Sequence, residues 1–203
     1  MRRALVLGLL AGLALILVAA GAGWLWHVAS DPGRAEQSQG PVPIGGPFTL
    51  TDQDGRRVTA EDFRGRYMLV LFGYTFCPDM CPLGLTTMAD ALDALPPAKA
   101  ARIVPLFITV DPERDTVEVM KAYVPLFHER LLGLTGTPEE VAEVVKEYRV
   151  YARKAAPDEG GGYLVDHSTF TYLMDTEGRY LAHFGHDATA EEMAARLATL
   201  VPG

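Results

Sequence analysis

Apolar residues are unevenly grouped along the 203-residue chain: the 23 uncharged positions from Ala4 to Trp26 form one stretch, a polar segment follows, and only from Phe48 onward do short apolar runs alternate with turns. A helix over the first stretch, rising ~1.5 Å per residue, would measure about 35 Å, enough to cross a ~30 Å hydrocarbon core with some tilt. Residues 27–45 turn to Asp, Pro, Gly, Ser and Gln with almost no large apolar residue and can bury no face, which predicts a tether. Phe48-Thr49-Leu50 and Arg57-Val58-Thr59 flank Asp54-Gly55, the signal of an opening hairpin. Tyr67 to Tyr74 and Arg102 to Val110 are nearly continuous apolar runs, as expected of central strands buried on both faces. Between them Met88, Ala91, Leu92 and Leu95 recur at helical spacing over Thr86 to Leu95, and Pro96-Pro97 stops the helix. Further helices are predicted over Thr116 to Phe127 and Pro138 to Tyr148, the latter with Val141, Val144 and Val145 inward. After Gly162 the pattern predicts a strand from Ser168 to Met174, a turn at Asp175 to Gly178, a strand from Tyr180 to Phe184 and a closing helix from Ala188 to Leu200.

A βαβ half followed by a ββα half is a thioredoxin-like order: an α/β fold with a central mixed sheet flanked by helices, opened by a β-hairpin and preceded by one transmembrane helix. The expected organisation is a membrane anchor at 1–26, a flexible linker at 27–45 and one domain at 46–203, with no internal repeat. Arg2 and Arg3 precede the apolar stretch and no Lys or Arg follows it until Arg34. The positive-inside bias therefore puts the N-terminus in the cytoplasm and the domain on the exported, periplasmic side of a cell inner membrane, with Trp24 and Trp26 at the far interface. Ala20-Gly21-Ala22 resembles a cleavage site, but the apolar run exceeds the ~7 to 15 residues of a secretory signal, so an uncleaved anchor is the preferred reading. The whole chain carries 18 Lys and Arg against 26 Asp and Glu, a net charge of −8, with no basic cluster, which excludes nucleic acid as a natural partner.

Candidate chemistry lies in the only two cysteines, Cys77 and Cys81, directly after the first buried strand. Each precedes a proline, and Pro82 could not donate to a helical carbonyl, so the helix is expected to start at Pro82 with Cys81 as its N-cap and Cys77 on the preceding loop. The helix N-terminus should then favour ionisation of Cys81. A structural disulfide is the bland alternative, but a five-residue loop constrains the unfolded chain little. Redox exchange and metal binding remain. Soft thiolates suit Cu(I), zinc or an iron–sulfur cluster; clusters and structural zinc generally want four ligands, whereas Cu(I) accepts two or three.

The chain has five histidines. His27 borders the apolar stretch, His128 sits at a helix end, and His183 and His186 form an H-x-x-H pair that reads first as a solvated corner. His167 stands just before a strand of the second half, at the junction that faces the cysteine loop in a thioredoxin-like architecture. Oxidoreductases of that fold carry a proline there, and this chain has none between Pro157 and Pro202, which favours ligation over thiol exchange. Asp166 could orient His167 through its other ring nitrogen. The charged run Asp111 to Asp115 reads as a loop with Asp115 as a helix N-cap, and Tyr74, Tyr163 and Tyr172 as packing.

Gly46-Pro47-Phe48, Phe72 to Pro82, Val110-Asp111-Pro112-Glu113-Arg114-Asp115-Thr116 and Val165-Asp166-His167-Ser168 with Tyr172-Leu173-Met174-Asp175 resemble the Sco (Sco/SenC) copper chaperones over about residues 46 to 200. Two positions depart from the family's pattern: Val117, where Pro is common, and Leu83-Gly84, where a polar residue is usual. The resemblance implies one copper, Cu(I) or Cu(II), held by Cys77, Cys81 and His167, and a non-enzymatic role in assembling the copper A centre of cytochrome c oxidase subunit II. Other copper carriers or thiol reductants would be further partners. The alternatives are a membrane-tethered thiol-disulfide oxidoreductase acting through a Cys77–Cys81 disulfide and, more weakly, a thiol peroxidase. The latter is opposed by Tyr74 where such sites place Thr or Ser.

Overall fold

The computed structural model describes residues 43–157 and 160–202. The expected anchor and nearly all of the expected linker lie outside the described residues; among those described, no helix is long and apolar enough to cross a membrane.

The hairpin forms as the turn chemistry requires. Strand β1 (Thr49–Asp52) pairs antiparallel with β2 (Arg57–Thr59). The Asp52 carboxylate accepts from the backbone N–H groups of Asp54 and Arg56, and Gly55 takes the left-handed φ of 80°. The two continuous apolar runs become β3 (Tyr67–Gly73) and β4 (Ile103–Thr109), wholly buried and paired in parallel. They are joined by α1 (Met80–Asp93) and a short second helix, α2 (Pro97–Ala100), which Pro96-Pro97 starts as well as ending the first. Helix α3 (Val117–Tyr123) is followed by a 3-10 turn, and α4 spans Pro138–Glu147. Capping boxes at Thr137 for α4 and at Thr189 for the last helix, α5 (Ala190–Leu200), set those starts, each worth about 1 kcal/mol.

The sequence reading did not anticipate three short strands. Strand β5 (Leu132–Thr135) pairs in parallel with β4, and it is too short and Gly-interrupted to show a pattern. A Cβ on Gly133 would lie 2.7 Å from Val124 and 2.9 Å from Met120, so close packing on α3 dictates that glycine. Strand β6 (Ala152–Lys154) is polar and exists through its partner β7 (Val165–His167), with which it forms a separate two-stranded ribbon. The expected strand from Ser168 to Met174 is shortened at its start: after the end of β7 at His167 comes a break, and β8 (Thr171–Met174) then pairs antiparallel with β3 and with β9 (Tyr180–Phe184).

The main sheet runs β2-β1-β5-β4-β3-β8-β9, with β3 near its centre. Strand alternation sends Met68, Val70 and Phe72 toward α4, where they meet Val144 and Tyr148; Leu69 and Leu71 pack on the other side with Leu85 and Met88 of α1 and Leu197 of α5. Ile44 packs against the first of these cores, and the Gly45 N–H donates to the Glu147 carbonyl, so the body is tied from its first described residues. This mixed, helix-flanked sheet presents the end of β3 and the start of α1 beside β7.

Candidate metal centre

Helix α1 starts at Met80, two residues earlier than the prolines suggest, with Asp79 in the N-cap position and no side chain bonding there. The N–H groups of a first helical turn have no intrahelical acceptor, so Pro82, which lacks one, is accommodated inside that turn. Cys81 is therefore not the N-cap. It lies within the first turn, almost fully buried, while Cys77 stays half-buried on the loop. The Cys81 backbone N–H, one of the free donors of the helix start, points at Cys77 Sγ at 3.3 Å. The anion-favouring end of the helix thus serves the other cysteine. The Cys81 thiol donating to it holds the Cys77 thiol far below the ordinary range, at about 4; the N–H groups of Cys81 and Asp79 add to this, against partial burial. The same hydrogen bond, together with burial, pushes the Cys81 thiol well above its ordinary value. The pair holds one proton, on Cys81.

His167 Nε2 lies 3.4 Å from Cys81 Sγ, and the ligand atoms of Cys77, Cys81 and His167 all fall within 4.8 Å of one another. Among the described residues this is the one cluster of three or more His, Cys, Asp or Glu groups able to hold a metal ion. His167 Nδ1 sits 2.9 Å from the Ser168 carbonyl oxygen. A carbonyl only accepts, so the proton of the neutral ring is on Nδ1 and the lone pair of Nε2 faces the sulfurs, the tautomer a ligand needs. The orienting group is thus the Ser168 carbonyl, and the expected role of Asp166 is corrected: adjacent strand residues point to opposite faces, and Asp166 is exposed on the far side of the ribbon. Tyr74 packs edge-on against the His167 ring with centroids 5.7 Å apart. Two sulfurs and an imidazole form a soft, three-donor, incompletely closed set, suited to a thiophilic ion and too small for a structural zinc site.

The other described histidines go elsewhere. His128 Nδ1 accepts from the Arg130 N–H, and its Nε2 faces Asp93 at 3.4 Å. His183 pairs with the Tyr180 hydroxyl at 2.5 Å, and both His183 and His186 are exposed.

Supporting residues were missed. Asp115 is fully buried and is not an N-cap, a role that falls to Thr116. Its carboxylate accepts from the Thr75 N–H at 3.0 Å, the Thr75 hydroxyl at 2.5 Å and the Thr109 hydroxyl at 2.6 Å, fastening the cysteine loop to the end of β4. The sequence signal was present but ambiguous, because an Asp before Thr at a helix start reads as a cap. Gly73 is also required: a Cβ there would lie 2.6 Å from Cys81 Sγ and 2.8 Å from Phe107. Gly73→Ala is expected to cost about 1–3 kcal/mol by overpacking and to displace Cys81. Denaturant unfolding checks the first effect and the alkylation rate of the metal-free thiols the second; unchanged values for both would refute it.

A thioredoxin-like scaffold with a soft, open metal centre at the start of its first long helix defines a small class of proteins. The SCO1/SenC family model matches residues 36–202, and the chain belongs to that family. It is 46% identical over 152 residues to Protein SCO1 homolog 1, mitochondrial, of Arabidopsis thaliana, covering 74% of this chain but 45% of that protein. Likeness to an SCO2-like protein of Rickettsia prowazekii is 42% over 153 residues, covering 75% of this chain and 74% of the relative. Among solved structures, Bradyrhizobium japonicum ScoI with copper bound superposes with a TM-score of 0.71 at 46% identity, covering 77% of this chain and 98% of the other.

Proposed function

We propose that this protein is a membrane-anchored copper chaperone: it carries one copper on Cys77, Cys81 and His167 and delivers it to, or prepares, the copper A centre of cytochrome c oxidase subunit II. The observation that carries the reading is the convergence of two sulfurs and the correctly tautomeric His167 Nε2 within 4.8 Å. The copper-bound state named for the Bradyrhizobium structure supports it. Copper is cargo here. A three-donor shell beside a half-exposed Cys77 leaves room for a partner's ligand to attack the metal, so transfer can proceed by exchange without release. Residues 1–26 would serve as the anchor in a cell inner membrane, 27–45 as the tether and 46–203 as the exported domain. Tethering raises the effective concentration near a membrane-bound acceptor.

The test is titration of the reduced chain with Cu(I) against a competing chelator at several pH values. One copper per chain is expected. Because Cys77 is already ionised at neutral pH while Cys81 keeps its proton, binding releases about one proton. Affinity should therefore fall about tenfold for each unit of pH lowered around neutrality, after correction for the chelator. A pH-independent affinity would contradict the assignment of the thiol proton.

One observation favours a second reading, a thiol-disulfide reductase: Cys77 is an accessible thiolate beside a buried thiol, Cys81. In that reaction the Cys77 thiolate would attack a partner disulfide, expelling one partner thiolate. Cys81 would then lose its proton and attack Cys77, releasing the second and leaving a Cys77–Cys81 disulfide.

A further inference from the structure

Arg114, in the loop between β4 and α3, touches the cysteine side and the histidine side of the site at once. Its guanidinium lies 3.8 Å from the ring centroid of Tyr163, 4.8 Å from that of Phe76 and 5.6 Å from that of Tyr74. Phe76 is the neighbour of Cys77. Tyr163 stands four residues before His167, and Tyr74 packs on the His167 ring. Polar bonds fix the guanidinium between them: Nε donates to the buried Asp111 carboxylate, Nη1 donates to the Tyr163 carbonyl at 3.0 Å, and the Tyr163 hydroxyl donates to Asp111 at 2.9 Å. Nη2 is buried with no acceptor among the described residues. An unmatched buried donor is a cost to the fold, so the placement calls for a role beyond filling space. A planar guanidinium can meet several rings while its fork donates in two directions, which a lysine ammonium cannot do.

We infer that Arg114 is a positioning residue which clamps the cysteine loop to the histidine-bearing strand and thereby sets the spacing of His167 from the two sulfurs. The inference rests on the copper reading for its chemical consequence. Cu(I) tolerates two thiolates, whereas Cu(II) wants a fuller tetragonal set, so a loosened histidine penalises the oxidised ion selectively. Arg114 thus tunes which oxidation state the site retains.

The experiment compares Arg114→Lys, Tyr163→Leu and Tyr163→Phe with the wild-type full chain. Tyr163 is only partly buried, so Tyr163→Leu keeps the test alive if Arg114→Lys fails to fold. Arg114→Lys and Tyr163→Leu should weaken Cu(II) at least tenfold and shift its thiolate-to-copper absorption, while Cu(I) affinity changes less than threefold. Tyr163→Phe keeps the ring and loses only the bond to Asp111, so its loss of Cu(II) affinity should be smaller than that of Tyr163→Leu. Lower thermal stability with an unchanged Cu(II) spectrum, or equal loss of both oxidation states, would overturn the clamp. Metal-free protein gives an independent reading by NMR: the His167–Tyr74 ring contact should persist in wild type and Tyr163→Phe and fade in the other two, and its persistence in all four overturns the inference. A wild-type chain that binds no copper would sink the proposed function, while the metal-free contact still judges the clamp.

Discussion

Cys77→Ser and Cys81→Ser should each cut Cu(I) retention by more than about 100-fold in the presence of a competing chelator, beyond the ~10- to 100-fold that loss of an outer hydrogen-bond partner costs a metal site. A serine hydroxyl is hard and un-ionised near neutral pH, so each substitution leaves one soft anion and one imidazole where Cu(I) prefers two thiolates. Serine is close to cysteine in size, and the fold should survive both changes. The two variants differ in the thiol left behind. In Cys77→Ser, Cys81 remains buried and has lost the thiolate that holds its proton in place. In Cys81→Ser the accessible Cys77 remains, and the serine hydroxyl and the residue-81 N–H can both still donate to it, so it should stay readily alkylated between pH 5 and 8. Metal content after dialysis, measured with free thiols, checks both, and retention equal to wild type would remove the thiolates from the site.

The central strands were legible because burial on both faces leaves an unbroken apolar run, as in Tyr67 to Gly73, and the hairpin because Asp54-Gly55 demands a left-handed residue. Short β5 and β6 were not legible: their pairing is decided by neighbours far along the chain, and four or three residues carry no period. The three candidate ligands were legible as residue types and as positions in a fold order. Their electrostatics were not. Reading each proline as a helix boundary moved the start of α1 by two residues and assigned the activated thiol to Cys81, whereas the free N–H of Cys81 reaches back to Cys77. Asp115 and Arg114 escaped notice for a related reason: a charged run on a loop looks solvated until the tertiary fold covers it, and here both Asp111 and Asp115 are fully buried.

His167→Ala should separate metal carriage from thiol exchange, because the substitution leaves Cys77, Cys81 and the N–H of the helix start in place. Cu(I), content with two thiolates, should bind with affinity lowered but not lost. Cu(II) should lose its thiolate-to-copper absorption or be reduced by the cysteines, since the tetragonal set has lost its only imidazole. The Cys77 thiol keeps its main support, the Cys81 thiol, together with the N–H of the helix start. Exchange with a small disulfide should therefore stay within about threefold of wild type at pH 7, where the thiolate is still the main form. An assay of copper A assembly should fail in the same variant. The opposite pattern, with Cu(II) affinity and assembly intact and thiol exchange slowed tenfold or more, would make His167 an acid–base partner of the cysteines and the reductase reading the correct one.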